Sequence, residues 1–144
     1  MSATFSDLLE CETELDGAGE MLFRQITDHS WDAQSGKPAA HAFGPNSADK
    51  GKPSFSRGGL TTADDSRVWH NANANSTSLA VWAVTVGEVM AEGRRTVDDS
   101  ACSTASAPAH CYVDYRDMQK FDERLVRGLL LARALKHGPQ HSRD

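Results

Sequence analysis

Long hydrophobic runs are missing from this sequence. None approaches the roughly 20 residues a helix needs to cross a bilayer, so no helical membrane span is expected. The opening residues, MSATFSDLLECETELD, have no basic start and no apolar stretch, and a secretory leader is not expected either. Cysteine is scarce. Cys11, Cys102 and Cys111 form no CxxC, and an odd number without a leader predicts reduced thiols in a cytoplasmic protein, with a Cys102–Cys111 bridge as the alternative. The P-loop, the Rossmann glycine fingerprint and GxSxG are all lacking. Positive charge is in deficit: 15 Lys and Arg face 20 Asp and Glu, a net charge of −5 that argues against nucleic-acid binding by the whole surface.

What remains is a chain of 144 residues, enough for one domain with a real core. The charge is unevenly spread. Residues 1–20 carry six acids and no Lys or Arg, and Arg116, Lys120, Arg124, Arg127, Arg133 and Lys136 crowd the other end. The two ends are expected to pair within the fold or across a dimer.

Periodicity divides the chain into elements. Residues 3–15 read as a short acidic helix or arm, closed by Gly17-Ala18-Gly19. MLFRQI (21–26) alternates as a strand, with Met21, Phe23 and Gln25 on one face and Leu22, Arg24 and Ile26 on the other. PSFSR (53–57) reads as a short edge strand. Thr61 or Thr62 caps a helix whose buried side is Val68 and Trp69. SLAVWAVTV (78–86), apolar on both faces, reads as a central strand. EVMAEG makes a turn or two, residues 96–109 make a small-residue loop, and HCYVDY (110–115) is another strand. The last helix, over about 117–136, carries an apolar stripe of Met118, Phe121, Leu125, Leu129 and Ala132, widened by Val126 and Leu130. Residues 138–144 are expected to fray. The fold class is α+β: a small antiparallel or mixed sheet, two or three helices, a long ordered loop and a C-terminal amphipathic helix, in one domain over 1–144.

The loop is KPAAHAFGPNSADKGKPSFSRGG (37–59). Its prolines and glycines read as turn devices, Phe43 and Phe55 as buried anchors, and its lysines as exposed. Folded over a pocket beside Arg24, Glu88 and His110, it offers His41, Phe43, Lys52 and Arg57, together with His110 of the later strand, as binding residues for an anion. His29, His41, His70 and His110 with Cys102 or Cys111 are zinc-type donors, but no spacing puts two on one element, and no metal site is expected. His110 and Cys111, adjacent on a strand, face opposite ways and cannot form a nucleophile–base pair.

Arg24, Ser56 and Glu88, each at a strand or its end, resemble in order the Arg–Ser–Glu arrangement of the ADP-ribosyltransferase superfamily. The resemblance covers roughly residues 21–90. It implies that Arg24 holds a phosphate of a nicotinamide dinucleotide (NAD), that Ser56 shapes the nicotinamide pocket and that Glu88 orients the ribose. Val86 stands where the superfamily's second acid or glutamine would be, which tells against protein modification. The wider string RQITDHSW…AVWAVTVGEV…PAHCYVDY resembles a widespread kind of small bacterial protein, and that likeness carries no activity and no site.

The expectation is therefore a small soluble intracellular binding or accessory domain. It takes a protein partner or an anionic small molecule, in a larger bacterial system, with no cofactor of its own. Homo-oligomerisation is compatible with it. The alternatives are the NAD-using enzyme above and nucleic-acid binding through Arg116, Lys120, Arg124 and Arg127, which share a helix face.

Overall fold

The computed structural model describes residues 3–105 and 107–141. Six strands form one antiparallel sheet. In chain order they are β1 (Thr13–Glu14), β2 (Met21–Thr27), β5 (Ser54–Arg57), β6 (Ser78–Thr85), β7 (Thr96–Asp98) and β8 (His110–Val113), and their spatial order is β1-β7-β8-β5-β2-β6. A small hairpin of β3 (Trp31–Asp32) and β4 (Lys37–Pro38) stands apart. The helices are α1 (Ala63–Asn73), α2 (Val86–Ala91) and α3 (Lys120–His137). The α+β class is as expected, and every strand pair is antiparallel.

Alternation sorts the sheet's side chains onto two cores. Leu22 and Ile26 of β2 join Ala80, Trp82 and Val84 of β6 under Val126, Leu130 and Ala134 of α3. On the opposite face Phe23, Val81 and Ala83 meet Ala63 of α1. β6 is thus buried on both faces as its sequence indicates. It is nevertheless an edge strand and not the expected central one, whereas β5, expected at an edge, lies inside the sheet between β8 and β2. Helices on both sides produce the same apolar pattern as strand neighbours do, so the pattern cannot rank a strand within its sheet. The edge is covered by the chain's own tail: Gln140 N donates to Val81 O at 2.8 Å, and Val81 N donates to His141 Nδ1 at 3.1 Å. Covering an open edge blocks pairing with other chains. Residues 140 and 141 are therefore pinned where fraying was expected; residues 142–144 lie outside the described residues.

Four further expectations are corrected. Residues 3–15 form no helix. Phe5 packs between the Arg94 and Arg95 guanidiniums (4.8 and 4.6 Å), Glu12 accepts from Tyr112 Oη at 2.6 Å, and Thr13–Glu14 pairs with β7. A short segment gains little from helix propensity, and these contacts outweigh it. Cys11 and Cys102 are disulfide-bonded, with their Cα atoms 5.1 Å apart, where reduced thiols or a Cys102–Cys111 bridge were expected. Cys111 is free and buried in the core, and burial pushes its thiol pKa well up. The 96–109 loop begins with β7, whose three residues are all buried. On α1 the buried residues are Ala63 and Ser66, and Val68 is exposed.

The α3 stripe is narrower than expected and centred on its Val126–Leu130 side. Val126, Leu130 and Ala134 are buried, and Phe121, Leu125 and Leu129 face solvent, Phe121 at 78% exposure. Leucines fill so much of this helix that several faces look apolar, and the docking angle on β6 picks one.

The acidic start and the basic end do not pair as blocks. Glu20 binds Arg57 and Glu14 approaches Arg95. Arg116 turns back to Asp114.

Candidate functional site

β2 and β5 are in register only at Leu22–Arg57 and Phe23–Ser56, whereas β2 and β6 pair along the whole strand. Beyond that point β2 and β5 part. A cavity of about 790 Å³ opens there, walled by β2, β5, α1 and the 41–49 segment.

Arg24 stands in the gap. It shares a face with Leu22 and Ile26, as alternation requires, and its side chain spans from β2 to its neighbours. Nε donates to Ala42 O at 2.8 Å, Nη1 to Ser54 O at 2.8 Å and Nη2 to Gly44 O at 3.4 Å. The guanidinium also lies over the Phe55 ring, 5.4 Å from its centroid. All three acceptors are neutral carbonyls, and no carboxylate pairs with Arg24 among the described residues. Burial lowers its pKa, and Asp49 and the Tyr115 hydroxyl only partly offset this. An Arg in a protein does not give up its proton. Arg24 therefore stays charged where burial disfavours charge.

The expected anchors of the loop are in place. Phe43 and Phe55 are buried with ring centroids 6.1 Å apart, and Tyr115 Oη donates to Phe43 O at 2.9 Å. Lys37, Lys50 and Lys52 are exposed. Arg127 of α3 crosses Gly44 so closely that a Cβ there would sit 2.8 Å from its Cδ, and Arg127 lines the cavity as a second cation.

The structure brings together some of the residues the sequence singles out. Arg24, His41, Ser56 and His110 line the cavity, along with His29 and His70. Phe43 is core. Lys52 Nζ lies over the Tyr112 ring at 5.3 Å, away from the cavity. Arg57 is held by Glu20 (2.9 Å) and Asp98 (2.7 Å) and is not free for a ligand. Glu88 does not line the cavity. It closes a capping box with Thr85 at the start of α2 and accepts from His137 Nε2 at 2.9 Å, so the structure does not bring it to Arg24 and Ser56. All four histidines line the cavity, but among the described residues no group of three or more His, Cys, Asp or Glu is placed to hold a metal ion. His70 Nε2 is 3.1 Å from Ser76 Oγ, and burial lowers its pKa, which favours the neutral imidazole.

One arrangement was not anticipated. His110 Nδ1 lies 2.5 Å from Asp99 Oδ1, and His110 Nε2 lies 2.9 Å from Ser54 Oγ. Asp99 follows β7, His110 opens β8 and Ser54 opens β5, three neighbouring strands of the sheet. Antiparallel pairing sets His110 opposite Ser56, which puts Ser54 diagonally within reach on the same face. The only sequence signal was the alternation that gives Ser54 and Ser56 one face and His110 and Tyr112 another. Those faces coincide only once β5 is known to pair with β8.

The cationic face of α3 is divided. Arg116 binds Asp114 through Nε (3.0 Å) and Nη2 (2.9 Å) and leaves the set. Lys120, Arg124 and Arg127 join Lys50 around a second recess of about 390 Å³, with Glu123 as its acid. Arg127 lines both recesses.

No protein-family model, no curated protein and no solved structure matches this chain. The site is therefore read from its own chemistry.

Proposed function

We propose that this protein binds an anionic small molecule in the cavity between β2, β5 and α1. The observation that carries this reading is Arg24: a guanidinium walled in by the 41–49 segment and β5 and satisfied only by carbonyl oxygens. Burying an uncompensated charge costs several kcal/mol. A phosphate or carboxylate entering the cavity recovers part of that cost through charge-assisted hydrogen bonds. Arg127 adds a second cation, and Ser56 and His41 supply hydrogen-bonding groups on the rim.

Calorimetric titration with inorganic phosphate, pyrophosphate and succinate tests it. At least one of these probes binds with a dissociation constant in the millimolar range or tighter. Arg127→Gln weakens it at least fivefold and leaves the melting temperature nearly unchanged. Absence of binding by all three, or binding indifferent to Arg127→Gln, overturns the reading.

The described residues contain no helix long and apolar enough to cross a membrane. A cytoplasmic location belongs to this reading, and the Cys11–Cys102 bond weighs against it, because such bonds persist mainly in oxidising compartments. A protein partner in a larger bacterial system is a separate part of the reading. Co-purification with a tagged chain checks it, and nothing in the cavity depends on it.

A further inference from the structure

We propose that Ser54 is a catalytic nucleophile of an acyl-transfer site, with His110 as its general base and Asp99 as the residue that orients His110. The substrate class is a carboxylic ester whose acyl part carries an anionic group. That choice rests on the anion-binding reading above; the assignment of the nucleophile does not.

The hydrogen bonds allow one tautomer when Asp99 is ionised. A carboxylate only accepts, so the Asp99 Oδ1 contact at 2.5 Å puts the proton on His110 Nδ1. Nε2 is then left with its lone pair toward Ser54, whose hydroxyl donates to it across 2.9 Å. This is the connectivity by which an imidazole takes a serine proton and an aspartate steadies the imidazolium that forms.

The Asp99 contact satisfies His110 Nδ1, and the remaining ring nitrogen, Nε2, turns to Ser54; the His110 and Asp99 side chains are 10% and 18% exposed. Ser54 is exposed and lines the cavity, and water would serve its hydroxyl equally well. Two of the three residues belong to paired strands and Asp99 directly follows a third, so the spacing is held by the sheet.

The backbone around Ser54 also suits the chemistry. Arg57 N donates to Ala109 O at 2.9 Å, which marks residues 57 and 109 as a hydrogen-bonded pair. Bonded and non-bonded pairs alternate in an antiparallel ladder, so Ser54 and Tyr112 form a non-bonded pair. The N–H and C=O of Ser54 therefore turn toward β2. The register with β2 has already ended at Phe23–Ser56. The carbonyl is taken by Arg24 Nη1, and the N–H opens into the gap. An amide donor thus opens beside the strand end that carries the nucleophile, where an oxyanion develops, and Arg24 fixes that strand end through its bond to the Ser54 carbonyl.

The reaction balances without a redox partner. Ser54 Oγ adds to the ester carbonyl as its proton passes to His110 Nε2. Collapse of the tetrahedral adduct breaks the bond to the alcohol, which leaves with that proton. Water, deprotonated by His110, then attacks the acyl-serine, and the carboxylic acid and the free Ser54 hydroxyl are regenerated.

Two measurements test the proposal. In the first, the whole protein is incubated with a fluorophosphonate and examined by intact mass and peptide mapping. One adduct is expected on Ser54, absent in Ser54→Ala and slowed at least 100-fold in Asp99→Asn. Labelling no faster than at other serines overturns the nucleophile. The second survives misfolding of the His110 or Asp99 variants. In Ser54→Cys the introduced thiol is expected to react with iodoacetamide at pH 6 at least tenfold faster than a free cysteine does; an ordinary thiol profile overturns His110 as base. Hydrolysis of p-nitrophenyl acetate against p-nitrophenyl hemisuccinate separates the two readings. A tenfold preference for the anionic ester, lost in Arg127→Gln, supports both. Equal rates leave the nucleophile standing and overturn the anionic substrate class. Pyrophosphate binding with neither labelling nor hydrolysis overturns the nucleophile and spares the anion site.

Discussion

Arg24 reaches across the gap between β2 and β5 and donates from Nη1 to the carbonyl oxygen of Ser54 at 2.8 Å. The cation of the cavity and the hydroxyl of the relay are thereby tied to the same strand end. The other two acceptors, Ala42 O and Gly44 O, belong to the loop that roofs the cavity. Arg24→Lys keeps the charge but cannot satisfy three carbonyls in a fork. It is expected to cost about 1–3 kcal/mol from the carbonyls left without partners, with faster amide exchange across residues 42–44. Urea denaturation and hydrogen exchange measure the two effects.

Gly44 tests the position of Arg127 without touching its charge. A Cβ at residue 44 would meet Arg127 Cδ at 2.8 Å and Cβ at 3.0 Å. The distal arginine atoms can swing aside, but Cβ is fixed to α3, so the loop must shift as well. Gly44→Ala should therefore weaken pyrophosphate binding severalfold and also lower the melting temperature by a few degrees. Calorimetry and a thermal melt, run on the same sample, check both halves.

Acid should weaken the fold through Asp114. Burial alone raises this carboxyl, but its hydrogen bonds and charge pairing with Arg116 and Arg95 win, and its pKa lies below the ordinary carboxylate value. A depressed carboxyl contributes stability that is complete above its unfolded pKa, near 3.9, and is lost as pH falls through the folded value. Stability should therefore hold at neutral pH and drop below about pH 4. Asp114→Ala, which leaves Arg95 buried without this partner, is expected to cost about 3–5 kcal/mol at pH 7 and to flatten the acid limb. Denaturant midpoints taken from pH 7 down to 3 give the comparison.

Cys11 and Cys102 are 91 residues apart in sequence, and their bond ties the N-terminal arm to the turn after β7. Closing a loop of that length is worth about 4–5 kcal/mol in the chain-entropy account. Asp99 lies in the turn that Cys102 anchors, with Cys102 N donating to Asp99 O at 2.9 Å. Reduction should lower the melting temperature by several degrees and slow labelling of Ser54. Thiol titration should find none reactive in the native protein, one after denaturation and three after denaturation with reduction.

Much of the fold was legible in the residues because local rules govern it. Alternation placed Arg24 with Leu22 and Ile26, Thr62 was one of the two threonines read as the α1 cap, and Phe43 and Phe55 were recognisable as anchors of a polar loop. The readings that failed depend on neighbours. Leu125 and Leu129 look as buried as Val126 and Leu130 until α3 is docked. The acidic arm looks helical until Arg94, Arg95 and Tyr112 are placed beside it.

The candidate site divides in the same way. Histidines, Arg24 and the serines of PSFSR could be picked out as chemical groups. Lys52 and Arg57 looked equally available, and the structure gives them to Tyr112 and to Glu20 with Asp98. The Asp99–His110–Ser54 relay was invisible, because its members lie 11 and 56 residues apart and no local motif joins them.

By itself the sequence determined the class of this protein: that the segments around 21–26, 53–57, 78–86 and 110–115 are strands, how side chains alternate along them, and that residues 37–59 form an ordered loop. Those properties follow from the backbone repeat and the conformational limits of Gly and Pro, which act within a few residues. The tertiary structure alone decided the order of the strands, the face α3 buries and the groups that meet in the cavity. Strand pairing joins residues far apart in the chain, and its register determines which side chains stand within 3 Å of one another.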